Sequence, residues 1–156
     1  MTTSRDAALR AVALGALLAG TLDLGAAVLL NLHLGPATVL QSIASGWAGP
    51  AAFEGGGTFA ALGALTHYAL MAVIAGVWVV LAPRVSLIRD LSWPLAGVVC
   101  GVATWAVMSL IVVPLSAAPF DVADGARPIL QGLVVHVLCV GLPVAWVART
   151  VVSPRT

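Results

Sequence analysis

The sequence has no lysine, and charged residues of both signs make up only 8% of its 156 residues. A soluble domain carries about a quarter charged residues to keep its surface in water, so a water-facing surface cannot be assembled from this chain. The same scarcity removes nucleic acid as a partner, because a formal charge of +1 offers no basic field to phosphates. Cysteine is nearly absent too. Cys100 and Cys139 each sit inside an apolar run, which supports neither a secreted disulfide framework nor a paired metal-binding motif, and both read as small packing residues. There is no G-x-S-x-G, H-E-x-x-H, P-loop or dinucleotide fingerprint, and the connections are too short for a soluble active site. An enzyme is therefore not expected.

Apolar residues, at 61%, are what the chain has in abundance. They gather into four stretches long enough to cross a bilayer: residues 9–31, 59–82, 93–115 and 129–150. Hydrocarbon offers no water to backbone groups, and alternating segments are too few for a barrel. The pattern thus predicts an all-α integral membrane four-helix bundle, one transmembrane domain over residues 1–156, with the lipid bilayer as its surroundings. The first stretch runs to Leu30 with no small-residue cleavage site after a short core, so it reads as an uncleaved span.

Orientation follows from the arginines, since positive charge near span ends is retained in the cytoplasm. Arg5 and Arg10 precede the first span, Arg84 and Arg89 separate the second and third, and Arg149 and Arg155 follow the fourth. The opposite side holds only Arg127. This asymmetry predicts a multi-pass protein of the bacterial cytoplasmic membrane with both termini in the cytoplasm. Trp78, Trp93 and Trp146 fall near the inner ends of their spans, where amphipathic indoles prefer to lie.

The longest connection, Leu32 to Thr58, begins with a segment that can form a short amphipathic external helix. Pro36 stands at its start, Gly46 at its end, and Val39, Leu40, Ile43 and Trp47 along one side, a pattern that suits lying on or dipping into the outer leaflet. Gly55-Gly56-Gly57 then allow a turn beside the lone acid Glu54. The second outer loop holds Asp121 and Asp124, which read as turn formers.

Ionisable side chains inside spans cost a few kcal/mol or more and point to a site by default. Asp23, His67 and His136 qualify, and counting residues places all three at about 10 to 12 Å below the outer interface. Met108 of the third span falls at nearly the same level, with Thr104 and Trp105 one turn further in. An up-down bundle would set the two histidines facing each other across its axis. Small residues share their faces: Ala16, Ala19, Gly20, Ala26 and Ala27 with Asp23, and Ala60, Gly63, Ala64 and Ala75 with His67. Such stripes allow close backbone approach between helices in lipid, as does Gly97-x-x-x-Gly101. Gly63-x-x-x-His67 also matches Gly132-x-x-x-His136, a trace of a duplicated hairpin.

Three readings of this layer remain open. It can hold the helices in register by hydrogen bonds, as in a structural or partner-binding subunit. It can handle protons or a small cation from the periplasmic side, Asp23, His67 and His136 being the candidate ligands of a metal ion. It can carry haem b between the two histidines, although a carboxylate in the same layer argues against that. His33, at the outer interface, and Glu54 are candidates for guarding access, while Cys139, three residues after His136, is set aside as packing. Four short spans are expected to enclose little volume, so a solute pathway would call for a homodimer or a partner membrane protein.

From Thr66-His67 onward the arrangement resembles the YagU-like family of small, poorly characterised bacterial inner-membrane proteins. The resembling features are Thr66-His67, Leu95-Ala96-Gly97, Pro114, Pro119-Phe120-Asp121 and His136, which span somewhat over half of the chain. The resemblance implies a helical inner-membrane protein of undefined biochemical role, with importance shared by His67, His136 and the turn at Pro119 to Asp121. The first span and the segment after it do not match, so Asp23 stands on the physical argument alone.

Overall fold

The computed structural model describes residues 4–152, and Arg155 lies outside them. Among the described residues all regular structure is helical. Helix α1 is Ser4–Leu30, α2 is Pro36–Ala48, α3 is Gly56–Leu81 and α4 is Ser86–Arg89, followed by α5, Trp93–Leu115, and α6, Ala126–Val152. A 3-10 turn, Gly49–Phe53, joins α2 to α3. Helices α1, α3, α5 and α6 are each long and apolar enough to cross a membrane. They agree with the expected spans to within a few residues, α5 coinciding with its span.

Local chemistry sets the breaks. The Asn31 side-chain amide donates to the Ala27 carbonyl at 2.9 Å, satisfying a group left open at the end of α1. Gly35 then turns at φ 79°, a conformation open to a residue without Cβ, and Pro36 starts α2 where a missing N–H costs nothing. At the other end of the bundle, where the expected loop between α3 and α5 contains the short helix α4, the Arg149 guanidinium donates to the carbonyls of Arg89, at 3.1 Å, and Leu91. That contact ties α6 to the end of α4.

The interior is built from small residues while Leu9, Leu17, Leu29, Leu65 and Leu138 point outward, the reverse of a soluble bundle. Helix α1 packs against α3 on one side and α6 on the other, and α6 packs against α5. Consecutive α3 and α5 make no extensive contact. Glycine permits the closest approaches: a Cβ on Gly101 would lie 2.4 Å from Val137 Cα, and one on Gly141 would lie 2.1 Å from the Gly97 carbonyl oxygen. The Gly97 to Gly101 pair is therefore the surface on which α5 meets α6.

Ala16, Ala19, Met71, Ala75, Val140 and Val144 form one buried cluster between the helices. Trp78 belongs to that cluster and is 9% exposed. It fills the core rather than the rim of the bundle, because its helix face is the one that meets α1 and α6. Trp93 and Trp146 are exposed, as expected of rim indoles.

Candidate functional site

The bundle is hollow at its α2 end. A cavity of about 1020 Å³ occupies the gap between α3 and α5, with α1 and α6 behind it and α2 across its end. A single chain thus lines a partly open, ligand-sized space, where four short spans were expected to enclose little volume. The gap exists because α3 and α5 each pack on a different partner, and α2 crosses from one to the other. A Cβ on Gly63 of α3 would lie 1.8 Å from the Leu40 carbonyl oxygen, and the Ala117 N–H, just past α5, donates to the Gly46 carbonyl at 3.0 Å. Val39, Ile43 and Trp47 line the cavity. The apolar side of α2 therefore covers the bundle's own hollow, with Val39, Gln41, Ala44 and Ser45 buried and Trp47 exposed at its end.

Asp23 of α1, His67 of α3, Met108 of α5 and His136 of α6 all line this one cavity. Four helices contribute. His33 and Glu54 are exposed and do not line it.

The two imidazoles are held in complementary ways. His67 is buried, and its Nε2 donates to the Gly20 carbonyl of α1 at 2.9 Å. A carbonyl can only accept, so Nε2 carries the proton and Nδ1 of a neutral ring is an acceptor. His136 uses the other nitrogen: Nδ1 donates to its own helix at the Gly132 carbonyl, 2.8 Å away, which leaves Nε2 as the acceptor. Asp23 forms no hydrogen bond or ion pair among the described residues. It lies within electrostatic range of His136, most strongly, and of His67 and the Cys139 thiol. The three groups face one space without touching.

That separation matters for metals. Among the described residues no group of three or more His, Cys, Asp or Glu side chains is placed to hold a metal ion, so Asp23, His67 and His136 do not close a ligand set. Nor does the donor set fit haem between the histidines, because the outermost nitrogen of His67 is bonded to Gly20.

Two further features set the site's shape. The Val113 N–H reaches back five residues to the Met108 carbonyl, and the Leu142 N–H to that of Val137, so α5 and α6 each contain a π-helical turn, Met108–Val112 and His136–Gly141. Each turn is followed within two residues by proline, Pro114 or Pro143. A proline ring cannot donate to, and collides with, the carbonyl four residues back, and widening the preceding turn relieves it. The π turns begin at Met108 and His136, and such insertions frequently mark functional sites. Pro143 was the signal for the second, and periodicity alone passes over it. Thr66 and Phe120, quoted above only for the family resemblance, also belong to the site: Thr66 accepts the Trp47 indole N–H at 3.1 Å, and Phe120 lines the cavity. Asp121 accepts the Ala123 N–H at 2.8 Å, the turn-forming bond expected of it.

No family model, curated protein or solved structure matches this chain.

Proposed function

We propose that this chain is a multi-pass protein of the bacterial inner membrane, with both termini and α4 on the cytoplasmic side and α2 on the periplasmic side, and that the Asp23, His67 and His136 layer handles protons entering from the periplasm. The arginine asymmetry supports the orientation, five of the six described arginines lying at the end remote from α2. The resemblance to YagU-like proteins remains a proposal resting on the quoted residues. One observation carries the proton reading: groups from three helices line one cavity, and the Asp23 carboxylate there has no hydrogen-bond partner among the described residues. An unpaired carboxylate within hydrocarbon thickness is costly, and a structural role would have paired it. Protons suit the layer better than a metal ion, since among the described residues no three ligands converge while two neutral imidazoles, each with one acceptor nitrogen, can pass protons to and from a carboxylate.

The competing reading, a layer that only fixes packing, draws on the His67 bond to Gly20, a direct tie between α3 and α1. The two readings differ in flux. In proteoliposomes with an imposed pH gradient, the wild-type protein should move protons and Asp23→Asn should lose that movement while keeping its fold. Equal proton movement by Asp23→Asn and wild type, or none above empty liposomes by the wild type, refutes the proposal and leaves the packing role.

A further inference from the structure

We infer that the cavity binds a lipophilic amine in its protonated form, taken from the membrane through the gap between α3 and α5; this rests on the proton reading of the same site and names the solute that proton movement would serve. Size is the first argument. A space of about 1020 Å³ reaches the upper end of small-molecule sites, which run to about 1,000 Å³, whereas a water occupies about 30 Å³. A proton path needs a file of a few waters and leaves most of this volume unexplained. Leu24, Leu70, Ile74 and Ile111 line much of the wall and offer water no partners.

Charge and hydrogen-bonding capacity are the second argument. The donors of Ser42, Trp47 and Ser116 and one of the two amide N–H groups of Asn31 are engaged with the Val39 carbonyl, the Thr66 hydroxyl, the Val113 carbonyl and the Ala27 carbonyl, while the Thr38 and Thr66 hydroxyls can still donate. The ionisable side chains lining the space are Asp23, His67 and His136, and each keeps accepting capacity: the Asp23 carboxylate, Nδ1 of a neutral His67 and Nε2 of a neutral His136. A ligand satisfying all three must donate several N–H groups and carry positive charge, which describes an ammonium. No arginine is among the residues lining the cavity, so a phosphate or carboxylate on the ligand would meet only like charge. Aminophospholipids and anionic amphiphiles are disfavoured on that ground. Trp47, Phe53 and Phe120 line the α2 end and supply aromatic faces for an apolar body or a cation in transit.

Access is the third. The cavity is partly open, and the two helices bounding it make no extensive contact with each other. At the depth of Asp23 that opening would face acyl chains, where a lipophilic amine concentrates and a hydrated inorganic cation does not.

The test uses the full chain in phosphatidylcholine nanodiscs, with empty nanodiscs as the blank, and equilibrium dialysis of probes sharing one apolar body: 1-naphthylmethylammonium, its trimethylammonium analogue, 1-naphthylmethanol and 1-naphthylacetate. The ammonium should bind about tenfold or more tighter than the alcohol, as a charge-assisted hydrogen bond implies. The trimethylammonium, charged but without N–H donors, should fall between them, and the acetate should bind least. In Asp23→Asn the ammonium should drop to the level of the alcohol. The wild-type series needs no variant and decides alone: equal binding of ammonium and alcohol, tightest binding of the acetate, or no saturable binding of any probe overturns the inference. Proton flux measured without probe separates the two readings. Wild-type protein that moves protons but does not discriminate among the probes retains the proton role and loses the amine. Protein that discriminates but moves no protons is a binding protein, which refutes the proton role and removes the stated basis for an amine as its coupled solute.

Discussion

Substituting Gly63 by alanine places a methyl carbon 1.8 Å from the Leu40 carbonyl oxygen and 2.7 Å from its carbonyl carbon. Both atoms are backbone, so no rotamer change relieves the clash, and α2 must retreat from α3 by more than 1 Å to restore ordinary contact. Retreat stretches the Gln41 amide bond to the Gly56 carbonyl, now 3.1 Å, and loosens the wall formed by Val39, Ile43 and Trp47. Overpacking of this kind costs about 1 to 3 kcal/mol, and the backbone clash places Gly63→Ala at the upper end. At this chain length a loss of about 2 to 3 kcal/mol lowers Tm by about 5 to 10 °C. Tryptophan fluorescence during heating in detergent reads it directly. Gly25→Ala is the matched control: a Cβ there meets nothing within 4 Å, and it replaces a mid-helix glycine, so stability should hold or rise by up to about 1 kcal/mol. Equal Tm values for Gly63→Ala and wild type would show that α2 does not sit on α3 as described.

Gly20→Leu should cost about 1 to 3 kcal/mol, since even its Cβ would lie 2.8 Å from the Tyr68 ring; unchanged thermal stability would mean that this face of α1 is not buried. Pro143→Ala removes the reason for the π turn in α6, and closing the ordinary ladder there should rotate His136 by about 100° relative to the following helix; proton flux should fall with stability kept or raised, and unchanged flux would separate the π turn from function. A thiol introduced at Glu54 should react with an impermeant reagent in intact cells while one at Arg89 should not, and the reverse pattern would invert the topology. The stability cycle for Asp23→Asn and His67→Ala should show a modest interaction of about 0.5 kcal/mol or more, carried by the electrostatic field rather than direct contact; strict additivity in stability and in flux would dissolve the layer.

Helix number and extent were legible in the chain because hydropathy and charge scarcity are local properties. A stretch such as residues 93–115 has no other way to satisfy its backbone, and α5 coincides with it. Asp23, His67 and His136 could be singled out together for the same reason, since rise per residue converts sequence position into an expected depth without knowledge of neighbours, and all three line one cavity. The turn chemistry of Pro36 and Asp121 also held, being fixed within a few residues.

What only the tertiary structure decided is how each helix is rotated and which helices meet. An apolar helix has nearly the same hydropathy on every face, so hydropathy cannot say that Trp78 turns inward or that α3 and α5 stay apart. Contact follows instead from where glycine lets backbones approach, as at Gly101 with Val137 and Gly63 with Leu40. The bond from His67 to Gly20, the hollow between α3 and α5 and its closure by α2 are consequences of those approaches. They join residues far apart in sequence through main-chain atoms that every residue possesses, which is why no side-chain pattern in the sequence announces them.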